Sequence, residues 1–167
     1  MTNSKLSILM IKIQYKNNGQ VKRRSKFMDS NYSGSCLCGK IRYEFGKFKT
    51  NPNHCHCSMC RKFHGAAYGT YGMVGLKDFV WTEGEEFLKK YQSSSDVERG
   101  FCSVCGSSLY YRRTTQEKYI DIAIGTLDQD LKTENLPTQH IFVQNKPNWY
   151  QIDDKLEKYS GFPERKT

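Results

Sequence analysis

The sequence has no long hydrophobic run, no secretory signal and no sustained helical repeat. No apolar stretch approaches the roughly 20 residues that a membrane-spanning helix needs, so no membrane partner is expected. Residues 6–11 are apolar but few, Lys5 is the only charged residue before them, and no small-residue cleavage site follows. The cysteines of a protein that is not exported stay reduced. We therefore expect a cytoplasmic protein.

Acidic residues are absent from residues 1–27, which hold seven lysines and arginines. The formal net charge is +9, so only +2 remains for residues 28–167. The overall charge therefore gives no ground to expect a nucleic-acid partner. We expect residues 1–27 to be a basic, disordered extension, or the product of a start codon assigned too far upstream. An alternative is that KRRSK at 22–26 binds nucleic acid, with a steep salt dependence that deletion of 1–27 abolishes.

Complete disulfide pairing is excluded because the chain has seven cysteines. Reduced, clustered cysteines indicate metal binding or catalysis. Two of the groups are pairs with short spacings, and each is followed directly by a glycine that permits a positive φ. Two such pairs from distant hairpins can hold one tetrahedral zinc ion in a closed site that contributes to folding. The predicted ligands of this structural zinc are Cys36, Cys38, Cys102 and Cys105.

The remaining group is the trio Cys55, Cys57 and Cys60, for which no fourth cysteine is left. A zinc held there would keep one open position, as catalytic zinc sites do. Alternatively, His54 or His64 closes the site and the second zinc is purely structural. Iron–sulfur ligation is a further alternative, as is the possibility that some cysteines are only buried apolar residues.

Short alternating or aromatic segments recur between turn signals and predict a mostly-β domain over residues 28–167. A hairpin is predicted between 79–82 and 87–93, and another strand pair between 108–113 and 119–125. Further strands are predicted over 41–45, 67–75, 140–143 and 149–152. Only one short helix is expected, over 58–64, directly after the cysteine trio.

The stretches GSCLCGKIRYEF, HCHCSMCRKFHGAAY, RGFCSVCGSSLYY, IAIGTLD and HIFVQNKPNWYQI resemble the glutathione-dependent formaldehyde-activating enzyme (GFA) and CENP-V family. The resemblance covers about residues 33–160. It implies Mss4-like (β-tent) antiparallel sheets stapled by zinc, and two Zn²⁺ ions with the division of ligands given above.

The same resemblance implies a carbon–sulfur lyase-type reaction. Formaldehyde adds to the thiol of glutathione to give S-(hydroxymethyl)glutathione, or is released from it. Cys55, Cys57 and Cys60 would be the catalytic residues, acting through the open zinc. The alternative within this family is a non-enzymatic zinc-binding scaffold module of the CENP-V type. Neither interpretation carries an expectation for the oligomeric state.

Charged residues close to the trio are the candidates for substrate binding. Arg61 and Lys62 directly follow Cys60 and could bind glutathione carboxylates, or form a solvated turn. His64 could move protons beside the open zinc, although a hydrogen-bonded structural histidine is the preferred interpretation. Asp121 lies in a strand-like segment and is expected on the solvent face. Trp149 could form the wall of a pocket, but a place in the core is the preferred interpretation, because aromatic residues in strands are usually core.

Limited proteolysis tests the domain boundary. Trypsin should remove residues 1–27 and leave a fragment that begins near Met28 with an unchanged melting temperature, because a disordered basic segment is cleaved first. Strong hydrogen-exchange protection in this segment, or unfolding of the truncated protein, would contradict the expectation.

Overall fold

The structure is a computed structural model that describes residues 32–163. The basic segment 1–27 and its boundary near Met28 lie outside these residues. The described chain is mostly β, with one α-helix, and has the Mss4-like (β-tent) architecture. The strands are β1 (Tyr32–Ser35), β2 (Arg42–Phe45), β3 (Asn53–Cys55), β4 (Gly69–Gly75), β5 (Phe79–Glu83), β6 (Leu88–Ser94), β7 (Val97–Cys102), β8 (Ser108–Arg113), β9 (Tyr119–Ala123), β10 (Gln139–Ile141) and β11 (Glu157–Lys158); the helix is α1 (Ser58–His64).

The strands form two sheets. One has three strands in the order β1-β2-β5, and the other has eight in the order β11-β10-β3-β4-β9-β8-β7-β6. Most neighbouring strands are antiparallel, but β10 runs parallel to both β3 and β11. The expected antiparallel sheets are therefore confirmed, with parallel pairing at the β10 edge. Parallel neighbours require a long crossover, and residues 56–138, which include β4 to β9, lie between β3 and β10.

The hairpin predicted between 79–82 and 87–93 is wrong, because β5 and β6 belong to different sheets. β5 pairs with β2, and β6 pairs with β7. Gly84 has a φ of 71° and begins a 3-10 turn that redirects the chain. A Cβ atom at this position would lie 1.9 Å from the carbonyl oxygen of Lys40. The glycine therefore serves a close approach of two backbone segments rather than a hairpin turn.

Other predicted elements are confirmed. The helix spans Ser58–His64, as the sequence predicts, and β8 pairs with β9 in antiparallel register. No strand forms over 149–152, and Trp149 is 69% exposed, so its expected place in the core is wrong. The Asn145–Pro147 turn signal is followed by irregular chain instead. None of the helices within residues 32–163 has the length and apolar character to span a bilayer.

Aromatic side chains form the core between the sheets. Tyr32 stacks on Phe45 with ring centroids 5.1 Å apart, and Phe48 closes against both rings at 5.0 Å. Tyr43 stacks on Phe79 at 5.6 Å. Each of these rings is at least nine-tenths buried, so the burial of aromatic surface is a major source of the stability of this domain.

The cysteine pairs lie where the two sheets meet. Cys36 and Cys38 lie in the turn between β1 and β2 of the three-stranded sheet. Cys102 ends β7 of the eight-stranded sheet, and Cys105 lies in the turn to β8. The glycines that follow the pairs have φ values of 72° and 76°, as the sequence predicts for backbone that curls around a common centre.

Candidate functional site

The first cysteine group brings four thiols together from the two sheets. The sulfur atoms of Cys36, Cys38, Cys102 and Cys105 lie within 4.8 Å of one another. Cys36 Sγ is 3.5 Å from Cys38 Sγ, which is 3.9 Å from Cys102 Sγ. Four sulfurs at roughly 2.3 Å from a tetrahedral zinc would be about 3.8 Å apart. This geometry fits a metal ion of that size.

Backbone amides stabilise the sulfurs of this group. The amide of Ile41 donates to Cys36 Sγ over 3.3 Å, and the amide of Val104 donates to Cys102 Sγ over 3.4 Å. Such donors favour the thiolate, which is the form that binds a metal. Cys102 is completely buried, and its sulfur packs against the aromatic core. The group is therefore integrated into the fold rather than placed on its surface.

The second group consists of three thiols at the start of α1. Cys55 ends β3, Cys57 is the N-cap of α1 and Cys60 lies in its first turn. Their sulfurs lie within 4.8 Å of one another. Cys57 Sγ accepts the amide hydrogen of Cys60 over 3.4 Å, so the spacing of two residues between them satisfies a free helix amide.

No histidine or carboxylate completes this group within residues 32–163. His54 Nδ1 is 2.8 Å from Thr70 Oγ1, and His64 Nε2 is 2.6 Å from Tyr71 Oη. The two histidines considered as a fourth ligand therefore have other partners. No fourth side chain of the described residues therefore joins the three sulfurs.

A buried guanidinium lies beside the trio. Arg99 of β7 is only 2% exposed, and both of its terminal nitrogens are 3.7 Å from Cys60 Sγ. It also donates to Tyr71 Oη over 3.3 Å. Because the Tyr71 oxygen accepts from Arg99, its hydroxyl hydrogen is free to donate to His64. A permanently charged cation thus compensates negative charge on the sulfurs.

The electrostatics single out one thiol of the trio. Hydrogen bonds from the thiols of Cys55 and Cys60, the amide of Cys60 and the charge of Arg99 lower the pKa of Cys57 to about 2. The pKa of Cys55 is raised, because its thiol pairs with the sulfurs of Cys57 and Cys60 and is buried. The contacts within the trio and the charge of Arg99 therefore favour a thiolate at Cys57 over one at Cys55.

A chain of hydrogen-bonded polar side chains begins at His56, between Cys55 and Cys57 of the trio. His56 is fully buried, and its Nε2 is 2.8 Å from His140 Nδ1. His140 Nε2 is in turn 2.9 Å from Asp154 Oδ2. Burial and the neighbouring His140 lower the pKa values of His54 and His56 to about 4, so both are neutral at pH 7. This chain connects the Cys55–Cys57 loop to β10 and to the segment that follows it.

A cavity of about 140 Å³ opens over the trio. Its walls come from β7, β8, β9, α1 and the segment after β10. Asp121 and Arg113 line it together with Cys55, Cys57 and Cys60. The expected solvent-facing position of Asp121 is therefore wrong. The face of the eight-stranded sheet opposite the aromatic core is covered by Met59 of α1 and by Phe142 and Phe162.

Burial raises the pKa of Asp121 to about 7, against the opposing effect of Arg113. The roles of Asp121, Arg99 and Tyr71 at this site were not predicted from the sequence. A signal for Arg99 was present, because it lies two residues after the apolar Val97 and therefore on the same side of β7. Nothing local to Asp121 indicates which face of its strand is covered.

The predicted substrate-binding residues lie outside this cavity. Arg61 is partly buried and Lys62 is exposed on α1, and neither lines the cavity over the trio. His64 lines a second, more open cavity of about 510 Å³, together with Tyr68 and Cys105. Burial, with a further effect of Arg99, lowers the pKa of His64 to about 4, so it is neutral at pH 7.

Comparison with known structures supports the fold. A crystal structure of a Rhodobacter sphaeroides protein superposes with a TM-score of 0.52 at 22% identity, over 63% of this chain and 97% of that one. At this identity the likeness concerns the architecture alone.

Comparison with known sequences identifies the family. A relative in Halomonas elongata, named a putative glutathione-dependent formaldehyde-activating enzyme, is 30% identical over 140 residues, which cover 78% of this chain and 88% of the relative. A protein of Schizosaccharomyces pombe named an uncharacterized lyase is 25% identical over 134 residues, 75% of this chain and 95% of that protein. The family profile described as glutathione-dependent formaldehyde-activating enzyme matches residues 31–145. With both cysteine groups inside that range, the chain belongs to the glutathione-dependent formaldehyde-activating enzyme family.

Proposed function

We propose that this protein is a zinc-dependent enzyme of the carbon–sulfur lyase type that joins or releases an aldehyde and a thiol. Formaldehyde and glutathione are the proposed substrates, since the family and the Halomonas relative are named for them. The observation that carries the proposal is the trio of thiols lining a cavity, with no fourth side chain among residues 32–163 within ligand distance.

Two zinc ions are proposed, one in each cysteine group. Cys36, Cys38, Cys102 and Cys105 would hold the structural ion, and Cys55, Cys57 and Cys60 the second. All-thiolate donor sets favour zinc over harder cations. Zinc held by three cysteines with a fourth position free supplies a place where a substrate thiol binds and loses its proton.

Residues around the trio would favour the binding of a thiol at this position. Arg99 donates to Cys60 Sγ and compensates the charge of a site that three thiolates would make negative. Met59, Val97 and Ile141 give the cavity beside the sulfurs an apolar wall. A thiol and an aldehyde held together in so small a space gain in rate chiefly from proximity.

The proposed reaction balances without an oxidant or reductant. The substrate sulfur forms a bond to the aldehyde carbon, the carbonyl π-bond opens, and the proton lost from sulfur is returned to the oxygen. With formaldehyde and glutathione the product is S-(hydroxymethyl)glutathione, and the reverse reaction breaks the same carbon–sulfur bond. The seven free cysteines suit a reducing compartment, which supports a cytoplasmic location.

Arg61, Lys62 and His64, the substrate-binding residues proposed from the sequence, would then act from outside the cavity. Arg61 and Lys62 could attract the carboxylates of glutathione toward α1 by long-range attraction. His64 has its hydrogen bond to Tyr71, through which it orients the side chain that contacts Arg99.

Substitution of Cys102 by serine tests the structural ion. We expect Cys102→Ser to lose about one of two zinc ions per chain, measured by plasma emission. We also expect the melting temperature to fall by more than about 10 °C, because metal binding at this junction contributes to folding. Unchanged zinc content and melting temperature would rule out the structural site.

Substitution of Cys57 by serine tests the second ion, and is the matched control for Cys102→Ser. Serine is a good N-cap, so α1 should keep its start and the melting temperature should change little. Thiol–aldehyde exchange, measured by NMR exchange spectroscopy on formaldehyde and glutathione, should fall by at least about 100-fold, since a metal ligand is lost.

The same assay decides between the enzyme and its alternative. The wild-type protein should accelerate exchange with glutathione or another small thiol. If no thiol shows acceleration, and X-ray absorption places a histidine nitrogen on the second zinc, the proposal is wrong. The protein would then be a non-enzymatic zinc-binding module.

A further inference from the structure

Asp121 is a carboxylate without a partner in an otherwise largely apolar cavity. It lies in β9 opposite Tyr111 of β8 and Met73 of β4. Within residues 32–163 no hydrogen bond or ion pair reaches it, and Arg113 acts on it only through space. A half-buried carboxylate in such surroundings is costly unless it takes up a proton or meets a cation.

Arg113 presents the opposite charge to the same cavity. Its Nε donates to Tyr111 Oη over 2.9 Å, and its guanidinium lies over the ring of Phe162 at 4.4 Å from the centroid. These two contacts hold the guanidinium in place while its terminal nitrogens have no acceptor among the described residues. The cavity wall therefore carries Arg113 and Asp121 as groups of opposite charge that are not joined to each other, in addition to Arg99, which contacts Cys60.

The charged groups that line the cavity indicate which ligand chemistry would suit it. One part of the cavity wall carries the three thiols, and Asp121 and Arg113 line the same space. A group that satisfies both charges must carry a cation and an anion close together. The commonest such group in small thiols is the α-amino-acid head group, with an ammonium and a carboxylate on one carbon.

We propose that Asp121 and Arg113 form a subsite for the α-amino-acid head group of the substrate thiol. Asp121 receives the ammonium and Arg113 the carboxylate, while the sulfur faces Cys55, Cys57 and Cys60. The inference rests on the proposed function for the role of the sulfur, and extends it by naming the part of the substrate that is recognised.

Two kinds of substrate thiol carry such a head group. It is the main chain of a free amino-acid thiol such as cysteine, or the γ-glutamyl end of glutathione. The cavity of about 140 Å³ is smaller than the roughly 300 Å³ at which small-molecule sites usually begin, which favours the compact source. Both thiols carry an ammonium and a carboxylate on one carbon, but they differ in the distance from the sulfur to this head group.

Thioethers test the subsite separately from any reaction, because they have no thiol proton to lose. Calorimetry on the zinc-loaded protein would compare S-methylcysteine with two ligands of the same length. 3-(Methylthio)propionate lacks the ammonium, and 2-(methylthio)ethylamine lacks the carboxylate. S-methylcysteine should bind more tightly than either by on the order of ten-fold, since each truncated ligand loses a charge-assisted hydrogen bond. S-methylglutathione, included as a fourth ligand, distinguishes the sources by binding more or less tightly than S-methylcysteine.

Two variants test which residue binds the ammonium and which binds the carboxylate of the ligand. Asp121→Asn should make S-methylcysteine and 3-(methylthio)propionate bind equally, and Arg113→Gln should do the same for S-methylcysteine and 2-(methylthio)ethylamine. Asp130→Asn, which changes an exposed acid that does not line the cavity, is the matched control and should leave all affinities unchanged. The comparison of ligands on the wild-type protein stands by itself if a variant does not fold.

The outcomes separate this inference from the proposed function. If the truncated thioethers bind the wild-type protein as tightly as S-methylcysteine and S-methylglutathione, or if none of the four binds, the subsite is wrong even when thiol–aldehyde exchange is observed. If exchange is absent but the preference for the complete head group is present and depends on Asp121, the subsite stands and the proposed reaction is wrong.

Discussion

The meeting of four thiols at the junction of the two sheets is the constraint from which the rest of the site follows. Cys36 and Cys38 come from the three-stranded sheet, and Cys102 and Cys105 from the eight-stranded sheet. Cys102 ends β7, the strand that also carries Arg99. The position of β7 relative to both sheets therefore determines where the buried guanidinium lies. Arg99 in turn reaches Cys60, so the two cysteine groups are connected through one strand.

Charge compensation explains the arrangement around the second group. Negative charge on three sulfurs so close together is costly, and a buried arginine next to them reduces that cost. The arginine is itself oriented by Tyr71 and lies between the rings of Phe63 and Tyr111, whose centroids are 5.3 and 5.5 Å from its guanidinium carbon. The neutral histidines behind Cys55 add hydrogen bonds without adding charge. The cavity thus combines a reactive sulfur centre with the two separate charges of Asp121 and Arg113, which suits recognition of a small charged substrate.

Local patterns in the sequence predicted the local elements well. Helix α1 begins at Ser58 because Cys57 caps it, and it ends at Gly65, which adopts a left-handed conformation that glycine tolerates. The strands β8 and β9 are recognisable from alternation alone.

The errors concern pairing over longer distances. Glu83-Gly84 has the composition of a hairpin turn, yet the core aromatics Phe79 and Trp81 pair with β2, which places β5 in the other sheet. Trp149 is exposed because no strand forms around it.

By itself, the sequence determined the grouping of the cysteines, the short helix after the trio and the family. Each depends on spacings of a few residues, over which backbone geometry limits the choices. Only the tertiary structure decided that Arg99, Asp121 and Arg113 meet at the trio. These residues come from β7, β8 and β9, and their shared face depends on strand register and on which side of the sheet α1 and the segment after β10 cover. Register moves every side chain of a strand from one face to the other with a shift of one residue, so a single sequence leaves that choice open until the sheets are assembled.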